Sequence, residues 1–187
     1  MNKTKKSLFI LLALCAFFMI GCKGLQATHR HHKGGFSFSM YEDWQVSEDR
    51  YGIDIRHITV QSTGVTKVKI EIHTKSSLAD TPAHQQYATS LQAFADYYNK
   101  VDIRYYGRTP QPVTQTAIQR REVDGLKQTQ KFIVDTPPVP INRDSIHEFY
   151  RFNTQDLLIF IALNTSGEEY AQSEAGIELI LSSLRYE

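Results

Sequence analysis

From Phe36 onward, apolar and polar residues alternate in the two-residue period of half-buried β-strands. Residues 36–40 and 68–73 keep this alternation without interruption, with apolar side chains on one face and polar ones on the other. Residues 53–61 predict a partner for the second of these strands, joined to it through a turn at 62–64. The pattern therefore predicts a β-hairpin early in the domain.

Two further hairpins follow along the chain. Residues 114–135 predict one that turns at Asp124 and Gly125, because this pair favours a tight turn between strands. Residues 146–152 and 157–163 predict the other, across four polar residues. The last of these segments is apolar at every position, which predicts a central strand covered on both faces.

Two helices are predicted beside these strands. The first opens at Thr81 and Pro82, because proline suits the first helical position, and its apolar stripe consists of Tyr87, Leu91, Phe94, Tyr98 and Val101. The second follows the capping-box pattern of Ser166 and Glu169, and its buried face consists of Ile177, Ile180, Leu181 and Leu184. This order of elements predicts an α+β fold with one antiparallel β-sheet flanked by helices.

Three features of residues 36–187 are similar to a known family. They are the strand at 36–39, the Tyr41-Glu42-Asp43-Trp44 segment after it, and an apolar strand before a closing helix over 178–184. On these features the domain resembles the PsbP-like group, which includes DcrB-like bacterial lipoproteins. The resemblance implies an α/β/α sandwich, and members that look like accessory subunits, envelope proteins and secretion-associated chaperones rather than enzymes.

The first 21 residues have the layout of an export signal. A basic stretch precedes an uncharged run whose apolar core of 13 residues is shorter than the roughly 20 that span a bilayer. The end of this run, Met19-Ile20-Gly21-Cys22, resembles the lipobox of bacterial lipoproteins. The resemblance implies cleavage between Gly21 and Cys22 and lipid on Cys22, which anchors the protein in a membrane. The alternative is an ordinary secretory signal that ends beside a cysteine.

Residues 22–35 predict a flexible tether, because they contain few large apolar residues and no periodicity. Fully extended, the tether would span about 45 Å, and it would carry a single domain over 36–187. Lys23 follows the modified cysteine where many enteric lipoproteins of the inner membrane have aspartate. In a Gram-negative source this favours the periplasmic face of the outer membrane. In other bacteria, the extracellular face of the cytoplasmic membrane is expected.

Charge excludes one class of partner. The chain has 21 basic and 20 acidic residues, and the signal peptide contains three of the lysines and no acidic residue. The formal charge of +1 therefore becomes about −2 after cleavage, which does not match the basic footprint of a nucleic-acid-binding protein.

Cationic and aromatic side chains concentrate in two neighbouring segments. Arginine and tyrosine are the side chains that most often anchor protein interfaces. The candidate partner-binding residues are Arg104, Tyr106, Arg108, Arg120 and Arg121. In the alternative interpretation, residues 104–108 only form a strand whose arginines face the solvent.

Histidines are the other candidates for chemistry. His29, His31 and His32 lie in the predicted tether, where a polar linker is the simpler interpretation. Three more histidines lie on predicted strands, and they are His57, His73 and His147. Glu71 and Glu148 lie close to two of them in sequence, but the sequence alone does not bring these side chains together. The sequence therefore predicts no catalytic residue, metal ligand or cofactor.

These observations favour a non-enzymatic accessory protein of the cell envelope, anchored by lipid on Cys22, that binds another envelope protein. A periplasmic immunity factor or a secretion-associated factor belongs to the same class. The alternative class is a small-ligand or metal-binding module, or a hydrolase without a recognisable motif.

Overall fold

The computed structural model describes residues 27–52, 55–106, 114–134 and 141–186 of the chain. Within these ranges ten strands and four helices follow one another. In chain order they are β1 (Thr28–Lys33), β2 (Phe36–Tyr41), β3 (Gln45–Tyr51), β4 (Ile55–Gln61), β5 (Lys67–Thr74), α1 (Lys75–Asp80), α2 (Pro82–Ala88), α3 (Leu91–Tyr106), β6 (Thr114–Arg120), β7 (Val123–Val134), β8 (Ile141–Asn153), β9 (Leu157–Ser166), α4 (Tyr170–Ser183) and β10 (Arg185–Tyr186).

The described strands form two sheets. A sheet of seven strands has the order β3-β4-β5-β9-β8-β7-β6, and a sheet of three strands has the order β1-β2-β10. Every pair of neighbouring strands is antiparallel. The predicted α+β architecture with an antiparallel sheet and flanking helices is therefore confirmed, as are the first and third predicted hairpins.

Each face of the seven-stranded sheet has its own hydrophobic core. One face packs against α4 and the three-stranded sheet, and this core includes Phe38, Trp44, Ile161 and Ile177. The opposite face packs against α1, α2 and α3 through residues such as Tyr87, Phe94 and Phe160. Strand β9 lies in the middle and is apolar toward both cores, as predicted. No helix among the described residues is long and apolar enough to span a membrane.

The helices begin where the sequence indicates but are divided differently. Pro82 opens α2, as predicted, yet the chain breaks after Ala88 and restarts as α3, so the predicted stripe is shared by two helices. Before α4, the amide of Glu169 donates to Ser166 Oγ at 3.3 Å. The Glu169 carboxylate instead accepts from Val65 N and Thr66 Oγ1. The Ser166 bond of the expected capping box is therefore present, whereas the Glu169 carboxylate connects α4 to the β4–β5 loop.

The predicted tether over 22–35 needs a correction. Thr28–Lys33 is strand β1, which pairs with the whole of β2, and Gly34 and Gly35 connect them with positive φ values of 56° and 70°. This is the geometry of a tight two-residue hairpin turn. Hydrophobic periodicity does not predict this strand, because it contains only threonine, arginine, lysine and histidine, and five of its six side chains are exposed.

The turn of the β6–β7 hairpin also differs from the prediction. It lies at Arg121 and Glu122, whereas Gly125 lies inside β7 opposite Ile118. A Cβ atom on Gly125 would lie 2.6 Å from Cε1 of Tyr150. The glycine is therefore required by the tyrosine ring that lies over the strand, and not by a turn.

Candidate functional site

The candidate partner-binding residues occupy three different environments. Arg104 and Tyr106 lie in the last turns of α3, so a strand over these residues is corrected to a helix. Arg108 lies outside the described residues, as do Gly21 and Cys22. Arg120 ends β6, and Arg121 follows it in the turn.

The side chain of Arg120 is turned inward. It is 11% exposed and binds the fully buried carboxylate of Glu148 through two hydrogen bonds, from Nε at 2.9 Å and from Nη2 at 2.8 Å. Nη2 also donates to Glu174 Oε1 at 2.7 Å and to the hydroxyl of Tyr170 at 2.9 Å. These contacts leave Arg120 little surface to offer a partner, so its role is to join β6 and β8 to α4.

Glu148 stays ionised inside this cluster. Burial alone would raise its pKa, but hydrogen bonds from Arg120, Tyr150 and Tyr170 outweigh burial and hold the pKa below its usual range. Burial and the neighbouring carboxylate raise the pKa values of both tyrosines. The phenols therefore remain donors, and the cluster is a satisfied ion pair that anchors the β6–β7 hairpin.

The turn beyond Arg120 is exposed and strained. Arg121 and Glu122 have φ values of 44° and 69°, in a region that costs residues other than glycine roughly 1–2 kcal/mol each. Hairpin turns of this kind prefer asparagine and glycine. The side chain of Arg121 is 66% exposed. Backbone strain that is kept at an exposed position points to a functional role for the side chains there.

The outer edge of β6 is open as far as the described residues show. A two-residue turn makes Arg120 and Val123 a hydrogen-bonded pair, and hydrogen-bonded pairs recur at every second residue of an antiparallel ladder. The main-chain N–H and C=O groups of Gln115, Ala117 and Gln119 therefore point away from β7. The side chains of all three are exposed, and no described strand pairs with this edge.

Strand β3, at the other edge of the same sheet, is closed to pairing. Its register with β4 shifts between Val46 and Glu48, which is a β-bulge. Charged residues then follow in a row, Glu48, Asp49 and Arg50. Bulges and charges are the devices by which natural sheets prevent edge-to-edge association. Strand β6 has a continuous register and no charged residue before Arg120.

A serine and a histidine on β8 meet in the arrangement of a nucleophile and a base. Ser145 Oγ lies 2.9 Å from His147 Nε2. The other ring nitrogen, Nδ1, has no hydrogen-bond partner in the described part of the chain, so the ring lacks the carboxylate that orients a catalytic histidine. Burial lowers the pKa of His147 to about 4, which makes it a weak general base at neutral pH.

His31, His57 and His73 lie in two parts of the fold. The ring of His31 packs at a tilt against Phe38, and its Nε2 lies 3.2 Å from Asp49 Oδ2, so it belongs to a structured hairpin. His57, Glu71 and His73 share one face of β4 and β5. Within the described residues, no three His, Cys, Asp or Glu side chains surround a common point closely enough to hold a metal ion.

Two cavities lie away from β6. One of about 350 Å³ opens between the glycine turn of β1–β2 and the end of β3, and its wall includes Phe36, Tyr51, Ile72, Leu157 and Tyr186. A wider cleft of about 950 Å³ lies beside the start of α4 and is bordered by Tyr41, Trp44, Gly64 and Glu169.

No family model and no curated protein matches the sequence. Solved structures do. The solution structure of cyanobacterial PsbP, CyanoP, from Synechocystis has a TM-score of 0.51 and 12% identity, over 89% of this chain and 96% of that one. A Bacteroides thetaiotaomicron protein has a TM-score of 0.48 and 11% identity, over 87% of this chain and 49% of that one.

A third structure is LpqN, which is involved in cell envelope biogenesis of Mycobacterium tuberculosis. It has a TM-score of 0.42 and 9% identity, over 91% of this chain and 95% of that one. The likeness to CyanoP covers nearly the whole of both chains. The chain therefore has a PsbP-like α+β fold, and at this level of identity the likeness concerns the fold alone.

Proposed function

We propose that this protein is a lipid-anchored, non-enzymatic accessory protein of the bacterial cell envelope, and that it binds an extended segment of another envelope protein along β6. The observation that carries the proposal is the open, regular and uncharged edge of this strand. Its outward main-chain groups offer three donors and three acceptors in one row. In strand addition, such groups provide affinity, and the alternating side chains provide specificity.

The rigid mounting of β6 also supports this function. The ion pair between Arg120 and Glu148 attaches the end of the strand to β8 and α4. An edge that is held in its extended shape loses little conformational entropy when a partner strand is added. The exposed Arg121 stands at the end of the row, where it can contact side chains of the added strand.

The anchor restricts where the partner can lie. The amide of Glu42 donates to the carbonyl of Ala27 at 2.9 Å, so Ala27 is held by the folded domain. The five steps from Cys22 to Ala27 span at most about 18 Å, against the 45 Å of the predicted tether. With lipid on Cys22, the domain stays close to the bilayer, and a partner at the same membrane suits this geometry best.

Photo-crosslinking in intact cells tests the proposal. A benzophenone amino acid at Thr116 on β6 is expected to form an adduct with one defined envelope protein, and the same amino acid at Ser47 on β3 should not. Ala117→Pro removes an outward N–H and should abolish the adduct, whereas Ala117→Ser keeps the N–H and should retain it. Adduct formation only with a second copy of this chain, or adducts insensitive to the proline, would contradict the proposal.

A small-ligand module is the second candidate function, favoured by the cavity of about 350 Å³ with three aromatic side chains in its wall. Cavities of this size and composition suit small apolar ligands. A ligand-induced rise in the melting temperature that is lost in Ile72→Trp, which fills the cavity, would support it.

A further inference from the structure

The cavity of about 350 Å³ is lined by residues of both sheets. On the seven-stranded sheet, Tyr51 pairs with Arg56, and Arg56 pairs with Ile72 on the next strand. Residues directly opposite each other on neighbouring strands point to the same face of a sheet, so these three side chains form one row. All three line the cavity. The row changes from aromatic through cationic to aliphatic across the sheet.

The three-stranded sheet supplies a second row. Lys33 on β1 and Tyr186 on β10 both pair with Phe36 on β2, so the three side chains point to the same face. Phe36 and Tyr186 line the cavity, and Nζ of Lys33 lies 5.9 Å from the centre of the Tyr51 ring. The guanidinium carbon of Arg56 lies 5.8 Å from the centre of the Phe36 ring. The two rows therefore face each other.

The facing rows give the cavity a cationic side and an apolar side. Lys33 lies beside Tyr51 on the cationic side. From there the strand orders β1-β2-β10 and β3-β4-β5-β9 run in the same direction, which places Tyr186, Ile72 and Leu157 on the other side. A ligand with an apolar body and a charge at one end matches this division.

Two cations on the cationic side share one carboxylate. Asp49 binds Arg56 and lies 3.4 Å from Nζ of Lys33, so these three groups sum to one positive charge. Burial lowers the pKa of His31, the other partner of Asp49, so this imidazole adds no charge at neutral pH. Arg56 uses its hydrogen bonds on Asp49 and on main-chain carbonyls of the β1–β2 turn. The Lys33 side chain is 51% exposed, and its ammonium can reach a ligand.

Two exposed rings stand at the mouth of the cavity. Within the described part of the chain, four large hydrophobic side chains are exposed, and Tyr51 and Tyr186 are two of them, at 59% and 47%. Ligand pockets combine hydrophobic and aromatic walls with a few polar groups that fix the orientation of the ligand. Because a tyrosine ring has an apolar body, these rings can cover the apolar part of a bound molecule.

We propose that this cavity binds a small molecule with an apolar body and a single carboxylate. The carboxylate contacts Nζ of Lys33 in the field of Arg56, and its one negative charge balances the excess positive charge. The apolar body packs against Ile72, Leu157 and Tyr186. The proposal rests on the second candidate function, the small-ligand module, whose ligand class it names, and it does not use the edge of β6.

Calorimetric titration of the full-length chain in a non-ionic detergent tests the proposal. The probe is 4-phenylbutyrate, and 4-phenylbutyramide is its uncharged counterpart of nearly the same shape. One 4-phenylbutyrate should bind per chain. The amide should bind about tenfold more weakly, because hydrogen bonds between charged groups are stronger than those to neutral ones. Titration of each probe into detergent alone corrects for its partition into micelles.

Two substitutions separate the two ends of the ligand. Lys33→Ala should weaken binding of the acid about tenfold and leave binding of the amide unchanged, whereas Tyr186→Ala should weaken both equally. Both positions are exposed, so the fold should be preserved, as circular dichroism will show. The matched controls are Lys67→Ala, at the other end of β5 from the cavity, and Tyr97→Ala on α3. Both controls should bind the acid like the unmodified chain.

Equal affinities for the acid and the amide would overturn the ligand class. Absence of saturable binding, or binding that is insensitive to both Lys33→Ala and Tyr186→Ala, would overturn the proposal as well. The small-ligand function itself is tested by the melting-temperature shift and its loss in Ile72→Trp, which do not depend on this pair of probes. Failure of the ligand class is therefore distinguishable from failure of the function.

Discussion

The two edges of the seven-stranded sheet are built on opposite principles. Strand β3 is interrupted by a bulge and carries a row of charged residues, whereas β6 is regular and uncharged up to Arg120. A sheet that needed only to avoid aggregation would protect both edges. Under the proposed function, the difference keeps one edge closed and leaves the other for the partner.

Each edge is nevertheless fixed by a buried arginine–carboxylate pair. Near β3, Arg56 binds both oxygens of Asp49 at 2.9 Å and donates to the carbonyl of Lys33 at 2.8 Å, which holds the β1–β2 hairpin. Near β6, Arg120 performs the same task for α4 through Glu148. The carboxylate of the first pair is 8% exposed and that of the second is fully buried. The β6 pair should therefore tolerate the loss of its arginine less well.

The largest expected effect is that of Arg120→Ala. The substitution leaves the carboxylate of Glu148 buried without its cation, and breaking a buried ion pair in this way costs about 3–5 kcal/mol. Chemical denaturation, monitored by circular dichroism, measures this loss. Arg121→Ala is the matched control, because its exposed side chain should contribute no more than about 0.5 kcal/mol. Equal effects of the two substitutions would show that Arg120 is not the anchor of this edge.

Hydrophobic periodicity predicted the elements whose two faces have different environments. Strands β2, β4 and β5 and helix α4 bury mainly one face, and β8 and β9 contribute to both cores, so their patterns were sufficient. Strands β1 and β3 were not predicted, because most of their side chains are exposed and their positions depend on Arg56 and other distant contacts. A pattern of polarity contains no signal for a strand that is held by hydrogen bonds and ion pairs.

The candidate site was predicted only in part. Arg120 and Arg121 were predicted as partner-binding residues, and for Arg121 this stays a prediction. Arg120 faces inward instead, because it binds Glu148, which is 28 residues away in sequence. The position of β6 at the edge depends on the strand order, which long-range pairing determines. The position of the β6–β7 turn was predicted wrongly for a similar reason. Gly125 is required by its close contact with the ring of Tyr150 on β8, and the sequence pattern does not show this contact.

Acid should weaken the β6 half of the sheet more than the β3 half. Burial lowers the pKa of His147, on β8, from 6.5 to about 4, so between these pH values the unfolded chain binds more protons than the folded one. The free energy of unfolding should then fall as the pH drops through this window, by about 3 kcal/mol in total. Denaturant titrations at several pH values should show a shallower slope in His147→Gln.

His31 on β1 is the comparison for this pH dependence. Burial lowers the pKa of His31 as well, but the charge and hydrogen bond of Asp49 oppose that effect. His31→Gln should therefore change the slope between pH 6.5 and pH 4 less than His147→Gln does. The reverse order would show that the acid sensitivity belongs to the β1–β3 side.

Arg56→Ala should have an intermediate effect at the closed edge. It removes two hydrogen bonds to Asp49 and the contact with the Lys33 carbonyl, and hydrogen bonds to charged groups contribute about 1.5–3 kcal/mol. The carboxylate keeps Lys33 and His31 as partners at 3.4 Å and 3.2 Å, so the loss should stay below that of Arg120→Ala. Hydrogen exchange should show increased opening of β1 and β2, and unchanged protection of β6 and β7. Loss of protection in both regions would mean that the two edges are not independent.

The smallest expected effect is a gain in stability at the β6–β7 turn. Replacing Arg121 by Asn and Glu122 by Gly supplies the residues that tolerate positive φ, and it should stabilise the fold by about 1 kcal/mol. The corresponding turn between β1 and β2 already has two glycines. A Cβ on Gly34 would collide with the Tyr51 hydroxyl oxygen and would stand at a positive φ, so Gly34→Ala should destabilise it. If the stabilised β6–β7 variant still gives the crosslinked adduct at full yield, the strained side chains serve no partner. We expect a more stable protein that gives a weaker adduct, because the substitutions remove the side chains of Arg121 and Glu122 that the proposed partner contacts.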